Sequence, residues 1–139
     1  MSKLSILTMA FFSLLTFCSF TTLVNNDLKI IRFMRTESGF VVSEYTNGTI
    51  KKQISNKRIT SFDLSKKEVE EIQKEIESLN FHHLVNEINQ QEEFSQYPAV
   101  MYMYIRGNDT IKTNFFKASS IPSHAKKLDL LMTKMRSNS

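Results

Sequence analysis

Hydrophobic and polar positions divide the chain into an uncharged beginning and an amphipathic remainder. After Lys3, no charged side chain occurs from residue 4 to residue 24. A positive start followed by an apolar stretch is typical of a secretory signal, whose positive end stays on the cytoplasmic side. We therefore predict that residues 1–24 are a signal peptide or an N-terminal membrane anchor, and that residues 25–139 form one domain that works outside the cytosol.

Three ways of processing this leader remain open. Ser19 and Thr21 are small residues that suit a signal peptidase site. Cys18 has the place of the lipidated cysteine in a bacterial lipoprotein box, although the preceding Phe17 is bulkier than the residue usual there. Uncleaved, the leader approaches the length of about 20 apolar residues that spans a bilayer. All three predict the periplasm or the cell envelope, and the last two attach the domain to a membrane.

Alternating apolar and polar positions after the leader predict strands. Residues 28–35, 40–45 and 49–55 follow one another, with turn residues at Gly39 and at Asn47-Gly48. Asn-Gly favours a type I′ hairpin turn, because both central residues of that turn need positive φ. We expect these three strands to form an antiparallel meander.

The apolar spacing then becomes helical. Ser65 and Glu68 form the sequence signature of a capping box. Apolar residues recur every three or four positions behind it, which predicts a helix ending at Asn80 with this stripe against the sheet. The stripe comprises Val69, Ile72, Ile76 and Leu79.

Two further strands and a second helix are expected in the rest of the chain. Residues 87–98 are polar and predict a surface loop, whereas residues 100–106 are apolar on both faces, as in a strand with neighbours on each side. Gly107 turns this strand into the next, residues 110–116. A closing helix should begin near Pro122, because proline is favoured at the first helical position. It should bury Leu128, Leu131, Met132 and Met135.

The predicted order is therefore β-β-β-α-β-β-α, an α+β domain of two layers. An antiparallel sheet of about five strands should carry two helices on one face. A meander, a helix of the form S-x-x-E-V-x-x-I from Ser65 and an exit at Asn80-Phe81 resemble small uncharacterised domains of bacterial envelope lipoproteins and exported proteins. That resemblance implies an envelope location and this fold, and brings no catalytic residues.

Composition agrees with a single domain that has no disulfide bonds. About 115 residues follow the leader, within the usual range for one hydrophobic core. Cys18 is the only cysteine, so residues 25–139 can form no disulfide and no thiolate metal site. The net charge of +4 is too mild to imply nucleic-acid binding.

Catalytic signatures are missing from the sequence. It contains no nucleophile elbow, P-loop, dinucleotide-binding glycine motif or H-E-x-x-H pair. We therefore predict no cofactor and favour a non-catalytic role over an enzymatic one.

His82 and His83 are the candidate metal ligands. Adjacent histidines in a loop can reach one ion, and His124 or Glu92 could complete a zinc site. The alternative is that one histidine packs beneath the helix exit while the other is solvated.

A basic stretch is the second candidate site. Lys51, Lys52, Lys57 and Arg58, continued by lysines 66 and 67, could meet anionic lipid head groups or an acidic protein. The alternative is a solvated strand whose lysines discourage edge-to-edge pairing.

Tyr102 and Tyr104 are the third candidate. They share one face of the predicted central strand, and Met101, Met103 and Ile105 take the other. If the methionine face meets the helices, the tyrosines lie on an open sheet face that could receive a partner, a ligand or a second copy of the chain. The alternative places both faces in the core.

These observations lead to three functional hypotheses. The first is an exported bacterial envelope domain that binds a protein or another envelope component through its open sheet face. The second is a small envelope hydrolase or metal-binding protein that uses His82 and His83. The third is an exported inhibitor or immunity factor, which would also be small, basic and free of motifs.

Overall fold

The computed structural model describes residues 28–134, which form an antiparallel sheet with three helices. The fold class is thus the predicted α+β class. The strands are β1 (Leu28–Thr36), β2 (Gly39–Thr46), β3 (Thr49–Ile54), β4 (Thr60–Asp63), β5 (Ala99–Arg106), β6 (Asp109–Lys112) and β7 (Phe116–Lys117). The helices are α1 (Lys66–Ser78), α2 (Phe81–Asn89) and α3 (Lys126–Thr133).

The strand order is β4-β3-β2-β1-β5-β6, and every neighbouring pair is antiparallel. The first four strands form a meander that runs outward from the middle of the sheet. β5 then returns beside β1, and β6 and the short β7 both pair with its other edge. The predicted position of residues 100–106 in the middle of the sheet is confirmed.

Local signals in the sequence act where they were expected. Asn47 and Gly48 have φ values of 48° and 81°, the positive angles that a type I′ turn requires. At the start of α1, the Ser65 hydroxyl accepts from the Glu68 N–H at 3.3 Å, and the Glu68 carboxylate accepts from the Ser65 N–H at 2.8 Å. Ile72 is buried against the sheet, as its place in the helical stripe predicted.

Helix α2 occupies residues that were expected to leave the first helix and to begin a surface loop. Asn80 was predicted to end a helix, but it also begins one, because its side-chain oxygen accepts from the His83 N–H at 3.1 Å. Phe81, Leu84 and Ile88 then recur at helical spacing and are all buried. The prediction of a loop from residue 87 was therefore wrong for residues 87–89.

Smaller differences occur at the edges of the sheet. Residues 60–63 form the unpredicted edge strand β4 beside β3. The expected strand over residues 110–116 is interrupted between β6 and β7, where Thr113 exchanges hydrogen bonds with the Tyr102 backbone. The closing helix begins at Lys126 after a 3-10 turn at residues 123–125, later than Pro122.

One core lies between the helices and one face of the sheet. Leu128 and Met132 of α3 are buried in it, Leu131 is half-buried, and Met135 lies outside the described residues. The described helices all contribute to this core, whose strand residues include Ile30, Tyr45, Ile50, Val100 and Tyr102. The described residues of helices and strands thus share one core. None of their helices is long and apolar enough to cross a membrane, and the predicted leader and Cys18 lie outside the described residues.

Candidate functional site

The two faces of β5 are the reverse of the predicted arrangement. Tyr102 is 3% exposed, and its hydroxyl donates to Asp129 of α3. The ring of Tyr104 lies 4.5 Å from that of Phe81 in α2. Both tyrosines thus belong to the face that the helices cover, and Met101 and Met103 occupy the opposite face because side chains alternate along a strand. The prediction that the tyrosines line an open face was wrong.

A row of buried polar side chains crosses the sheet beneath α3. Arg32, Ser43 and Lys52 are direct cross-strand neighbours on β1, β2 and β3, and Arg32 also faces Tyr102 on β5. All are buried. Arg32 Nε donates to Asp129 Oδ1 at 2.6 Å, so one carboxylate serves both the guanidinium and the Tyr102 hydroxyl.

Lys52 fixes the other end of α3. Its Nζ donates to the carbonyls of Thr133 and Lys134 at 3.0 and 3.1 Å, where a cation satisfies the unpaired carbonyls of a helix C-terminus. Burial, together with the nearby Arg32, lowers the pKa of Lys52 below its ordinary value. Burial and the Asp129 charge raise the pKa of Tyr102 far above its ordinary value. The Tyr102 hydroxyl therefore stays protonated at neutral pH. The row of buried polar side chains acts as a structural network that holds α3 in one position.

The basic stretch is consequently not one surface. Lys52 faces the core, and its strand neighbour Lys51 is exposed on the opposite side of the sheet. Lys57 and Arg58 are exposed in the turn between β3 and β4. The prediction that Lys52 takes part in a surface patch was wrong, because the alternation of β3 pairs it with Ile50 on the buried face.

The histidines divide between two places. His83 Nε2 lies 4.0 Å and His124 Nε2 lies 3.5 Å from Glu87 Oε2, and the two imidazole rings are 5.9 Å apart. His82 lies instead along a groove at the end of the sheet, which it shares with Tyr104. Residues 28–134 contain no group of three or more His, Cys, Asp and Glu side chains that could hold a metal ion. The metal-binding hypothesis thus gains no support from the geometry.

A second groove adjoins that groove on the helical side and shares Ile76, Leu79, Tyr104 and Arg106 with it. This second groove has a volume of about 870 Å³ and lies between α1, the turn after β2 and the ends of β1 and β5. Its lining includes the apolar side chains of Ile76, Leu79 and Tyr104 and the charged side chains of Glu77 and Arg106. Its polar groups carry both signs of charge, so the groove favours no class of ligand.

The face of the sheet away from the helices, here called the open face, is apolar at its centre. Its apolar side chains are half-buried, and no described helix lies on them. They are Ile31 and Phe33 of β1, Phe40 and Val42 of β2, and Met101, Met103 and Ile105 of β5. The Phe33 ring stacks on Phe40 at 5.7 Å and meets the edge of Phe115 at 5.9 Å.

An arginine lies beside these aromatic rings. The Arg35 guanidinium carbon is 4.3 Å from the ring centre of Phe115 and 5.4 Å from that of Tyr97. Its Nη2 donates to the Phe94 carbonyl at 3.1 Å. Its Nε is buried and has no hydrogen-bond partner among the described residues.

Cations outnumber acids on the open face. The two acids there are already engaged, Glu44 with Lys29 at 3.3 Å and Asp63 with the Thr49 hydroxyl at 2.8 Å. Within the described residues, the remaining basic side chains of this face make no ion pair; they are Arg35, Lys51, Lys112 and Lys117.

Sequence reasoning missed these residues because β1 carries apolar side chains on both faces. Its alternate positions hold Ile30 with Arg32 on one side and Phe33 with Arg35 on the other. A charged residue in each set leaves the pattern unable to say which faces the helices. Comparison of the chain with family models, with curated proteins and with solved structures found no match.

Proposed function

We propose that this protein is a non-catalytic interaction domain of the bacterial cell envelope that binds a protein partner through its open face. The observation that carries the proposal is the half-buried cluster of phenylalanine, methionine and aliphatic side chains at the centre of that face. An antiparallel sheet can keep one face in water, but that face is then normally polar. Contiguous apolar surface of this kind usually marks an interaction site.

The composition of the open face suits a protein interface. Aromatic residues, methionine and arginine are enriched at the centres of such interfaces, and Phe33, Met101, Met103 and Arg35 are of these types. Lysines at the margin, such as Lys51, match the polar rim that surrounds an interface core.

An envelope location is supported by the N-terminal sequence. Lys3 and the uncharged residues behind it satisfy the requirements of an export signal. Export by cleavage, by lipidation at Cys18 or as an uncleaved anchor would each place the open face outside the cytosol. An inhibitor or immunity factor would be a special case of the same binding role.

Site-specific photo-cross-linking tests the proposal. A photoreactive phenylalanine analogue is placed at Met103 on the open face or, as matched control, at Glu70 on the exposed side of α1, in the full chain produced in its own cells. We expect a discrete cross-linked product from position 103 and none from position 70. The same products from both positions, or none from position 103, would contradict the proposal.

A further inference from the structure

We infer that the partner of the open face presents a carboxylate to Arg35, flanked by apolar side chains that lie on Phe33 and its neighbours. This inference rests on the proposed function and adds the chemistry of the partner. It is drawn from the unpaired groups of Arg35, from the charge of the open face and from the place of Arg35 among aromatic rings.

The guanidinium of Arg35 is held in place but incompletely paired. Phe115 and Tyr97 lie against it, and the Phe94 carbonyl accepts one of its five N–H groups. No hydrogen bond reaches Nε or Nη1 within residues 28–134, and no carboxylate pairs with the charge. The buried Nε leaves the guanidinium one hydrogen bond short, and its charge has no counter-ion within residues 28–134. Nη1 is also unbonded but is not buried, so a carboxylate from outside could bind there and would gain a strong interaction.

A carboxylate fits these unpaired groups better than a neutral acceptor. A guanidinium presents its N–H groups as a planar fork, and a carboxylate can accept from two of them at once. Tyr97 is 49% exposed, so the side chain that borders Arg35 on the solvent side lies at the surface. An acidic group can therefore approach the unburied Nη1 while its apolar neighbours contact the open face.

The charge of the open face selects against a second copy of the chain bound face to face. Such a dimer would bring the lysines at the edges of both open faces, Lys51, Lys112 and Lys117, together across the interface, where only Asp63 carries a negative charge not already paired with a lysine. Opposed like charges disfavour association. An acidic partner would instead find complementary charge at the rim.

A lipid surface would use the open face differently. Anionic head groups would meet the exposed lysines at the rim, such as Lys112, and attraction to them depends on summed charge more than on one site. Arg35 is half-buried and lies at the level of the aromatic rings, where a single carboxylate side chain reaches more readily than a bilayer. The position of Arg35 thus favours an acidic protein segment.

Nuclear magnetic resonance of the arginine side chains tests the inference with a small probe. Protein labelled with nitrogen-15 and spanning residues 25–139, which contain the whole described core, is titrated with 3-phenylpropionate and separately with its amide. We expect the Arg35 Nε–H signal to shift and saturate with the carboxylate, and to shift far less with the neutral amide. The exposed Arg58 provides an internal control whose signal should not saturate.

Variants separate the outcomes. Arg35→Lys keeps the charge but loses the fork and should weaken carboxylate binding by about tenfold or more, whereas Arg58→Lys should bind like the wild type. Urea unfolding of each variant verifies that it is folded. Equal shifts with acid and amide, or full binding by Arg35→Lys, would overturn the inference.

Two further results distinguish its failure from that of the proposed function. Binding to vesicles of equal parts phosphatidylglycerol and phosphatidylcholine that is unchanged in Arg35→Lys, together with no response to the carboxylate, would replace the acidic partner by a lipid surface. A cross-linked product at Met103 that persists in Arg35→Lys would overturn the carboxylate anchor and leave the open face as a protein-binding surface.

Discussion

The carboxylate of Asp129 should be the most important single polar group for stability. It accepts from Arg32 Nε at 2.6 Å and from the Tyr102 hydroxyl, and so joins α3 to the middle of the sheet. The Arg32 side chain is 8% exposed and that of Asp129 is 19% exposed. Removal of the acid would leave Arg32 buried without a counter-ion.

The expected loss of stability follows from that burial. Removal of one partner of a buried ion pair costs about 3–5 kcal/mol. Because about a fifth of Asp129 reaches solvent, we expect the lower end, about 3 kcal/mol for Asp129→Asn. Asp129→Ala also takes the acceptor from Tyr102 and should lose about 1 kcal/mol more.

Urea unfolding followed by circular dichroism measures these losses. If only stability is altered, the slope of the free energy of unfolding against urea concentration should not change. Lys29→Ala serves as control, because the Lys29–Glu44 pair is more exposed and should contribute less than about 1 kcal/mol. Replacement of the network by Arg32→Met, Asp129→Leu and Tyr102→Phe together should recover most of the loss. A cost for Asp129→Asn no greater than that for Lys29→Ala would refute the reasoning.

Three further predictions concern the core, alkaline pH and export. Ile76→Ala should lower the free energy of unfolding by about 2–5 kcal/mol in urea titrations, whereas Glu70→Ala on the exposed side should change it little. Because the pKa of Tyr102 is raised in the folded state, its full contribution to the free energy of unfolding should be present below pH about 10 and should be lost as the pH rises further. In unfolding curves measured across pH, Tyr102→Phe should make the loss of stability at alkaline pH shallower. A fusion of residues 1–26 to a reporter active only outside the cytosol should export it, and fatty-acid labelling that survives Cys18→Ala would exclude lipidation there.

Much of the fold could be predicted because its signals are local. A capping box at Ser65 and an Asn-Gly turn at residue 47 act through hydrogen bonds and dihedral angles within a few residues. Asn80 misled the prediction because asparagine both follows and precedes helices. The buried spacing of Phe81, Leu84 and Ile88 was the signal that could have identified α2.

The candidate site could not be predicted from alternation alone. β5 is apolar on both sides, so the side that faces the helices is decided by partners far away in sequence. Arg32 is accepted in the core because Asp129, which is 97 residues distant, meets it there. Lys52 is accepted because the end of α3 supplies carbonyl groups. The spacing of residues in a single sequence cannot show that Arg32 pairs with Asp129 or that Lys52 binds the end of α3.

Cross-linking with an altered open face tests the central claim most directly. Ile31 and Met103 are cross-strand neighbours at the centre of this face, and a photoreactive residue at Ile105 on the same face reports contact with a partner. Ile31→Ser combined with Met103→Ser should abolish the cross-linked product of the full chain, and circular dichroism of the purified chain should show that it remains folded. A product of undiminished yield from the doubly substituted chain would contradict the claim that the open face binds the partner.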